Sequence, residues 1–161
     1  MTARRTTVTT TSPEETGDVA ARLARFVMPG HVVVLAGGLG AGKTTFVRGY
    51  AHALGVLDPV TSPSYTLVHH YRCGAGAPIE LLLHADLWRL NDASELDDLA
   101  LDEPLGDGAA AVIEWGDRFD ATVGSDRVVV NFEVVDDSTR RLEVSLEDSS
   151  LTDAVLEALA T

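Results

Sequence analysis

Apolar residues recur along the chain with two different periods, and these periods predict where strands and helices lie. Short β-branched or alternating apolar runs predict strands over residues 6–11, 31–36, 65–71, 79–84, 109–113, 127–135 and 141–146. Apolar residues at helical spacing predict helices after Ser12, over residues 43–54 and 151–160, and in part of residues 91–101. The order of these elements predicts an α/β sandwich with a mixed sheet, in which the last two strands pair antiparallel.

The first predicted helix has a clear start and end. Ser12 can cap it, Pro13 suits the first helical position, and Glu15 completes a capping box. We expect this helix to stop near Pro29. The strand that follows, residues 31–36 (HVVVLA), is continuously apolar, which is typical of a strand buried on both faces.

Length and composition predict one domain over residues 1–161. The chain is 45% hydrophobic, with no internal repeat and no linker. No apolar run approaches the roughly 20 residues of a membrane-spanning helix, and the N-terminal residues are polar. The single cysteine, Cys73, cannot form an intrachain disulfide. We therefore expect a cytoplasmic protein without membrane association.

A glycine-rich segment directly follows the buried strand. Residues 37–44 (GGLGAGKT) fit G-x-x-x-x-G-K-[ST] at every fixed position, with a predicted strand before and a helix after. In such a loop the backbone N–H groups surround phosphates, Lys43 reaches the β- and γ-phosphates, and the Thr44 hydroxyl binds Mg²⁺. The motif predicts a P-loop hydrolase for ATP-Mg²⁺, with a three-layer sandwich and a mixed, mainly parallel central sheet.

Lysine occurs once in the chain. Of the 12 basic residues, 11 are arginine and the remaining one is Lys43. This position therefore requires the compact ammonium and flexible stem of lysine, which the planar guanidinium of arginine cannot replace. This usage strengthens the interpretation of the loop as a phosphate site.

Two acidic residues follow apolar strands and are candidates for metal binding and for orienting water. Asp86 follows residues 79–85, and Glu114 follows residues 109–113. Ligands gather at the carboxyl ends of strands in open α/β sheets, so either acid can face the phosphates. Their spacing does not separate the two roles. Trp115 can line the nucleotide site or pack in the core, and residues 61–65 (TSPSY) form a hydroxyl-rich turn like a nucleotide switch.

The net charge is −13, from 25 acidic and 12 basic residues. Sequence-independent binding to nucleic acid depends on lysine and arginine contacts with phosphates. We therefore expect that the chain does not bind RNA or DNA by itself.

Four segments, in this order, together resemble one family. They are residues 38–46 (GLGAGKTTF), 62–68 (SPSYTLV), 84–90 (HADLWRL) and 113–115 (IEW). This set resembles the TsaE family (formerly YjeE), the bacterial ATPase of threonylcarbamoyladenosine (t6A) modification, and the similarity extends from Ser12 to about Leu146. It implies an ATPase that docks on a TsaB–TsaD heterodimer, which modifies adenosine 37 of ANN-decoding tRNAs. Hydrolysis would reset that complex, and tRNA would be contacted only through it.

The resemblance also implies roles for individual residues. Catalytic roles fall to Lys43, Asp86 and Glu114, and the metal ligands are Thr44, Glu114 and Asp86, with Glu114 preferred. A late arginine, Arg140 or Arg141, approaches the nucleotide. Together with the motif, the resemblance gives these nucleotide contacts: Ser12, Gly38, Leu39, Gly40, Ala41, Gly42, Lys43, Thr44, Thr45, Ser64, Trp115 and Arg140.

The chain departs from the family pattern at four positions. The family usually has Thr at Ser64, Tyr at Trp88, Phe at Ala85 and Pro at Gly116. The hydroxyl at Ser64 is kept, so the metal chemistry is unaffected, whereas loop rigidity and partner contacts are open to change.

Three other functions compete with the ATPase. A small-molecule P-loop kinase needs an arginine-rich lid, but residues 91–107 are acidic and contain no arginine. A GTPase needs an Asn-Lys-x-Asp element to bind guanine, and the only lysine is Lys43. A non-catalytic nucleotide sensor also remains, and the oligomeric state is open.

Overall fold

The computed structural model describes residues 4–38, 40–63, 68–87, 90, 92–114, 127–147 and 153–160. Within these ranges the chain forms seven strands and five helices. The strands are β1 (Arg4–Thr10), β2 (Val32–Ala36), β3 (Val68–Arg72), β4 (Leu81–Asp86), β5 (Ala110–Glu114), β6 (Arg127–Val134) and β7 (Arg140–Glu147). The helices are α1 (Pro13–Ala24), α2 (Lys43–Ala53), α3 (Ala93–Asp98), α4 (Asp102–Gly106) and α5 (Asp153–Ala160).

All seven strands join one sheet in the order β1-β7-β6-β2-β5-β4-β3. The four middle strands β6, β2, β5 and β4 run parallel, whereas β7, β1 and β3 are antiparallel to their neighbours. The mixed sheet and the antiparallel pair of β6 and β7 were both predicted and are confirmed. Because the middle strands are parallel, their carboxyl ends meet at one edge of the sheet.

Helices cover both faces of this sheet, so the structure has the three layers that the sequence predicted. On one face, Leu23 of α1, Phe46 of α2 and Leu159 of α5 pack with alternate residues of the strands. On the other face, Leu96 of α3 and Leu105 of α4 pack in a second cluster. β2 lies between the two clusters and is buried at every position, as expected for its apolar run.

The first helix ends earlier than predicted. α1 stops at Ala24 and not near Pro29, because the amides of Arg25, Phe26 and Val27 bond to carbonyls three residues back. This tighter spacing turns the chain out of the α-helix before proline is reached.

The segment after β4 also differs. The predicted partial helix corresponds to α3, and it is followed by α4, which the sequence did not predict. α4 has no side-chain cap and contains Pro104, features that are more typical of a turn than of a helix. None of the helices in the described ranges has the length and apolar character that crossing a lipid bilayer requires.

Candidate functional site

The carboxyl ends of β2, β5 and β4 bring the glycine-rich loop and both candidate acids together. Leu35 of β2 is in register with Glu114 of β5, and Glu114 is in register with Asp86 of β4. Each acid is the last residue of its strand. β5 therefore ends one residue later, and β4 two residues later, than the sequence predicted. The loop leaves β2 immediately after this level, so it begins beside the two carboxylates.

Two glycines give the loop its conformation. Gly37 has a φ of +151°, and a Cβ built there would lie 2.9 Å from Cβ of Phe132, so no side chain fits. Gly42 is left-handed, with a φ of +104°, and it precedes α2 without offering a side-chain cap. The N-terminus of α2 therefore meets the loop without a side-chain cap, and the positive end of the helix favours an anion there.

Lys43 lies in the first turn of α2 with its side chain folded over the loop. The residue is 6% exposed, and its Nζ donates to the carbonyl oxygens of Gly37 at 2.6 Å and Gly38 at 3.0 Å. The ammonium is thus held where the motif expects phosphate oxygens.

Glu114 is the acid that contacts the loop. Its Oε1 accepts a hydrogen bond from Oγ1 of Thr44 at 3.4 Å, and its Oε2 lies 2.6 Å from Nε2 of His84. Asp86 instead accepts from the hydroxyl of Ser62 at 3.3 Å, through Oδ2. The structure therefore places Glu114 at the hydroxyl expected to bind metal, and places Asp86 beside it, toward the segment after α2.

The oxygen donors at this point fit Mg²⁺. A hydroxyl and a carboxylate are ligands that the ion prefers, and it usually completes its shell with waters and substrate phosphates. Within the described ranges, no cluster of three or more His, Cys, Asp or Glu side chains could hold a metal ion by itself. A metal at Thr44 and Glu114 would accordingly need oxygens from a bound nucleotide or water.

A cavity of about 250 Å³ opens next to the loop. It is lined by Ser12 and Thr16 from the start of α1, by Gly40 and Gly42, and by the turn between β6 and β7 together with Arg140, the first residue of β7. The capping of α1 follows the prediction in part. Ser12 Oγ accepts from the Glu15 amide, but the Glu15 carboxylate accepts from the amide of Thr11, one residue before the cap.

Only one of the two candidate arginines faces the loop. A guanidinium nitrogen of Arg140 donates to the carbonyl of Gly40 at 3.3 Å, whereas Arg141 pairs with Glu133 on β6 at 2.8 Å. Successive residues of a strand point to opposite faces, so the two side chains cannot both reach the loop.

The turn that precedes Arg140 is fixed by Asp136. Arg140 donates to the backbone carbonyls of Asp136 and Thr139, and the Asp136 carboxylate accepts from the amides of Ser138 and Thr139. The amide of Ser138 in particular holds the pKa of Asp136 below its usual value, because these bonds favour the ionised form.

Three predicted site residues, Leu39, Ser64 and Trp115, lie outside the described residues. Two side chains that contact the acids, His84 and Ser62, were not among the predicted site residues, although Ser62 lies in the hydroxyl-rich turn 61–65. His84 could have been found from its spacing, because residues two apart on a strand share a face and it lies two before Asp86.

The model of one protein family matches residues 10–142 of the chain. That family is described as "Threonylcarbamoyl adenosine biosynthesis protein TsaE". The chain belongs to the TsaE family. The matched range begins at the last residue of β1 and includes the loop, both acids and the two arginines, so the family resemblance noted from four segments is confirmed.

Relatives in the family cover most of the chain. A TsaE from Bacillus subtilis (strain 168) is 36% identical over 133 residues, which is 83% of this chain and 80% of that protein. A TsaE from Mycobacterium tuberculosis (strain ATCC 25618 / H37Rv) is 38% identical over 143 residues, covering 84% of this chain and 83% of that protein. Both are named "tRNA threonylcarbamoyladenosine biosynthesis protein TsaE".

The fold is also similar to a solved structure. The crystal structure of YdiB from Bacillus subtilis superposes with a TM-score of 0.79 at 26% sequence identity, covering 99% of this chain and 96% of that one. The P-loop NTPase-like sandwich predicted from the sequence is therefore confirmed.

Proposed function

We propose that this TsaE-family protein binds ATP with Mg²⁺ at residues 37–44 and hydrolyses it as an accessory protein of t6A modification at adenosine 37 of ANN-decoding tRNAs. The observation that supports this most is the contact between Thr44 and Glu114. A loop hydroxyl and a 4% exposed carboxylate lie 3.4 Å apart, next to the only lysine of the chain. This combination fits a phosphate site with a bound cation.

The proposal gives each residue a distinct task. The ammonium of Lys43 exchanges the carbonyls of Gly37 and Gly38 for phosphate oxygens when nucleotide enters. Thr44 and Glu114 hold the cation, which when bound neutralises charge on the β- and γ-phosphates. Asp86, with Ser62 beside it, orients the attacking water.

The nucleoside part of ATP would lie toward the cavity lined by Ser12 and Arg140. That cavity is about 250 Å³, somewhat below the roughly 300–1,000 Å³ of typical small-molecule pockets, so it suits only part of the ligand. The guanidinium of Arg140 already contacts the loop at Gly40, from which it can reach a phosphate or ribose oxygen.

The partner in this proposal is a TsaB–TsaD heterodimer in the cytoplasm. A net charge of −13 disfavours direct binding to tRNA, so contact with the substrate is left to the partner. We expect slow hydrolysis by the chain alone, since a missing catalytic group costs P-loop proteins orders of magnitude in rate.

Steady-state ATP hydrolysis, measured with and without TsaB–TsaD, tests this proposal. Lys43→Ala should bind ATP weakly and lose the partner-stimulated rate. Arg25→Ala, which removes an exposed positive charge at the far end of α1 from Ser12, is the matched control and should keep both.

Each alternative outcome has a distinct meaning. Fast turnover that ignores TsaB–TsaD would contradict the partner-activated ATPase. Phosphorylation of an added acceptor would favour the kinase, and preference for GTP in competition binding would contradict the ATP site. Equal loss of activity in Lys43→Ala and Arg25→Ala would mean that charge, and not the loop, was responsible.

A further inference from the structure

His84 is a fully buried polar residue that the proposed chemistry does not use. It lies on β4 at 0% exposure, and its Nε2 is 2.6 Å from Oε2 of Glu114 on β5. The two residues are diagonal neighbours, because the ladder pairs His84 with Val112 and Asp86 with Glu114. From its position on β4, His84 therefore reaches toward the carboxyl end of β5, where the glycine-rich loop begins.

The two oxygens of Glu114 have different partners. Oε2 makes the 2.6 Å contact with His84, whereas Oε1 makes a much longer contact of 3.4 Å with Thr44. A carboxylate that binds a cation accepts hydrogen bonds, so a bond that positions it requires Nε2 of His84 to carry the hydrogen. Short bonds to a charged acceptor are the strong ones, so His84 and not Thr44 sets the orientation of this carboxylate.

Aromatic packing fixes the imidazole itself. The ring of Tyr71 stacks on His84 with centroids 6.4 Å apart and planes at 29°, and His69 meets it edge-on at 6.4 Å and 84°. The Tyr71 hydroxyl accepts from the amide of Thr61 at 3.2 Å. The Tyr71 ring, with the imidazole of His84 stacked on it, is thus held next to the segment that contains Ser62. Ser62 in turn contacts Asp86.

The second ring nitrogen of His84, Nδ1, is buried and makes no hydrogen bond within the described part of the chain. An unsatisfied buried polar atom costs about 1–3 kcal/mol, so a residue chosen only for packing would be apolar here. The contact of Nε2 with Glu114 is therefore the reason for a histidine at this position.

We propose that His84 is a positioning residue, which holds Oε2 of Glu114 so that Oε1 faces the cation held at Thr44. This inference rests on the proposed Mg²⁺-ATP site. Donors behind a metal-binding carboxylate typically change metal affinity by about 10–100-fold when they are removed.

Two amide substitutions of different reach test this role. The side-chain nitrogen of Gln is as many bonds from Cα as Nε2 of histidine, whereas that of Asn corresponds to Nδ1. His84→Asn should raise the Mg²⁺ concentration that half-saturates ATP binding by about 10–100-fold. His84→Gln should stay within a few-fold of the wild type, and both should keep the affinity for ATP measured in EDTA. Equal values for the two variants, or an unchanged Mg²⁺ requirement in His84→Asn, would overturn the proposal.

The tautomer of His84 provides a readout that needs neither a variant nor metal. In ¹⁵N-histidine NMR spectra of the ligand-free wild type, Nε2 should carry the hydrogen and Nδ1 should not. The Nδ1–H tautomer would overturn the proposal, even if His84→Asn did not fold. If Mg²⁺ did not change the ATP affinity of the wild type, the proposed function would be wrong, whereas the NMR result would still report the bond between His84 and Glu114.

Discussion

Alanine at Gly49 should force α1 away from α2, whereas alanine at Gly17, across the same contact, should not. A Cβ built on Gly49 lies 2.4 Å from the carbonyl oxygen of Gly17 and 2.6 Å from its Cα. A Cβ built on Gly17 lies 3.9 Å from Cα of Gly49, which is ordinary van der Waals contact. The two substitutions add the same methyl group to the same helix pair, so each is the control for the other.

The expected magnitudes have opposite signs. Replacing glycine by alanine within a helix stabilises by up to about 1 kcal/mol, and this gain applies at both positions. At Gly49 the added atom meets backbone that cannot rotate away, and overpacking costs about 3 kcal/mol at the upper end of its usual range. We therefore expect Gly17→Ala to gain about 1 kcal/mol and Gly49→Ala to lose about 2 kcal/mol.

Thermal unfolding followed by circular dichroism measures both changes. With about 2–4 °C per kcal/mol for a chain of this size, Tm should rise by about 2–4 °C in Gly17→Ala and fall by about 4–8 °C in Gly49→Ala. Because α1 carries Ser12 to the loop, Gly49→Ala should also weaken ATP binding. A Gly49→Ala variant as stable as the wild type would refute the close approach of these helices.

Three further predictions concern the surroundings of the loop. Ser12→Ala removes the cap of α1 and should lower stability by about 1 kcal/mol in urea unfolding, whereas Ser12→Thr, which keeps a capping hydroxyl, should not. Arg140→Met should weaken ATP binding at low salt, whereas Arg141→Met, whose side chain pairs with Glu133, should leave the affinity unchanged. The folded-state pKa of Asp136 is depressed, so its hydrogen bonds should persist above the usual value of 3.8 and be lost as pH falls through the lower folded value. Amide chemical shifts of the turn should follow that titration in the wild type and not in Asp136→Asn.

Each of these predictions has an outcome that contradicts it. Equal stability of the Ser12→Ala and Ser12→Thr variants would mean that the hydroxyl does not cap α1. Equal ATP affinity of the two arginine variants would remove Arg140 from the site. Turn amides that shift only well above pH 3.8 would contradict the depressed pKa of Asp136.

The parts of the fold that follow from local pattern could be predicted from the sequence. The apolar run of β2 and the glycine motif after it predicted a buried central strand, a loop and a helix, and the structure has all three. The end of α1 and the existence of α4 could not be predicted, because a tightened last turn and a short helix containing Pro104 leave no periodic signal.

The candidate site was predictable in its residues but not in its arrangement. Asp86 and Glu114 were each placed at a strand end, but their alignment depends on the register of two strands that are distant in sequence. The choice between Arg140 and Arg141 depends on which face of β7 points to the loop. Spacing alone puts His84 on the same face of β4 as Asp86, but its bond to Glu114 depends on the register between β4 and β5 as well.

The position of Lys43 has a practical consequence for proteolysis. A protease that cuts only after lysine has one peptide bond to attack in this chain, between residues 43 and 44. That bond lies in the first turn of α2, and the side chain the protease must grip is bonded to two loop carbonyls. Cleavage therefore requires local unwinding of α2. The rate at which fragments 1–43 and 44–161 appear measures this unwinding without any label on the protein. Any ligand that holds the loop in its folded form slows the cut.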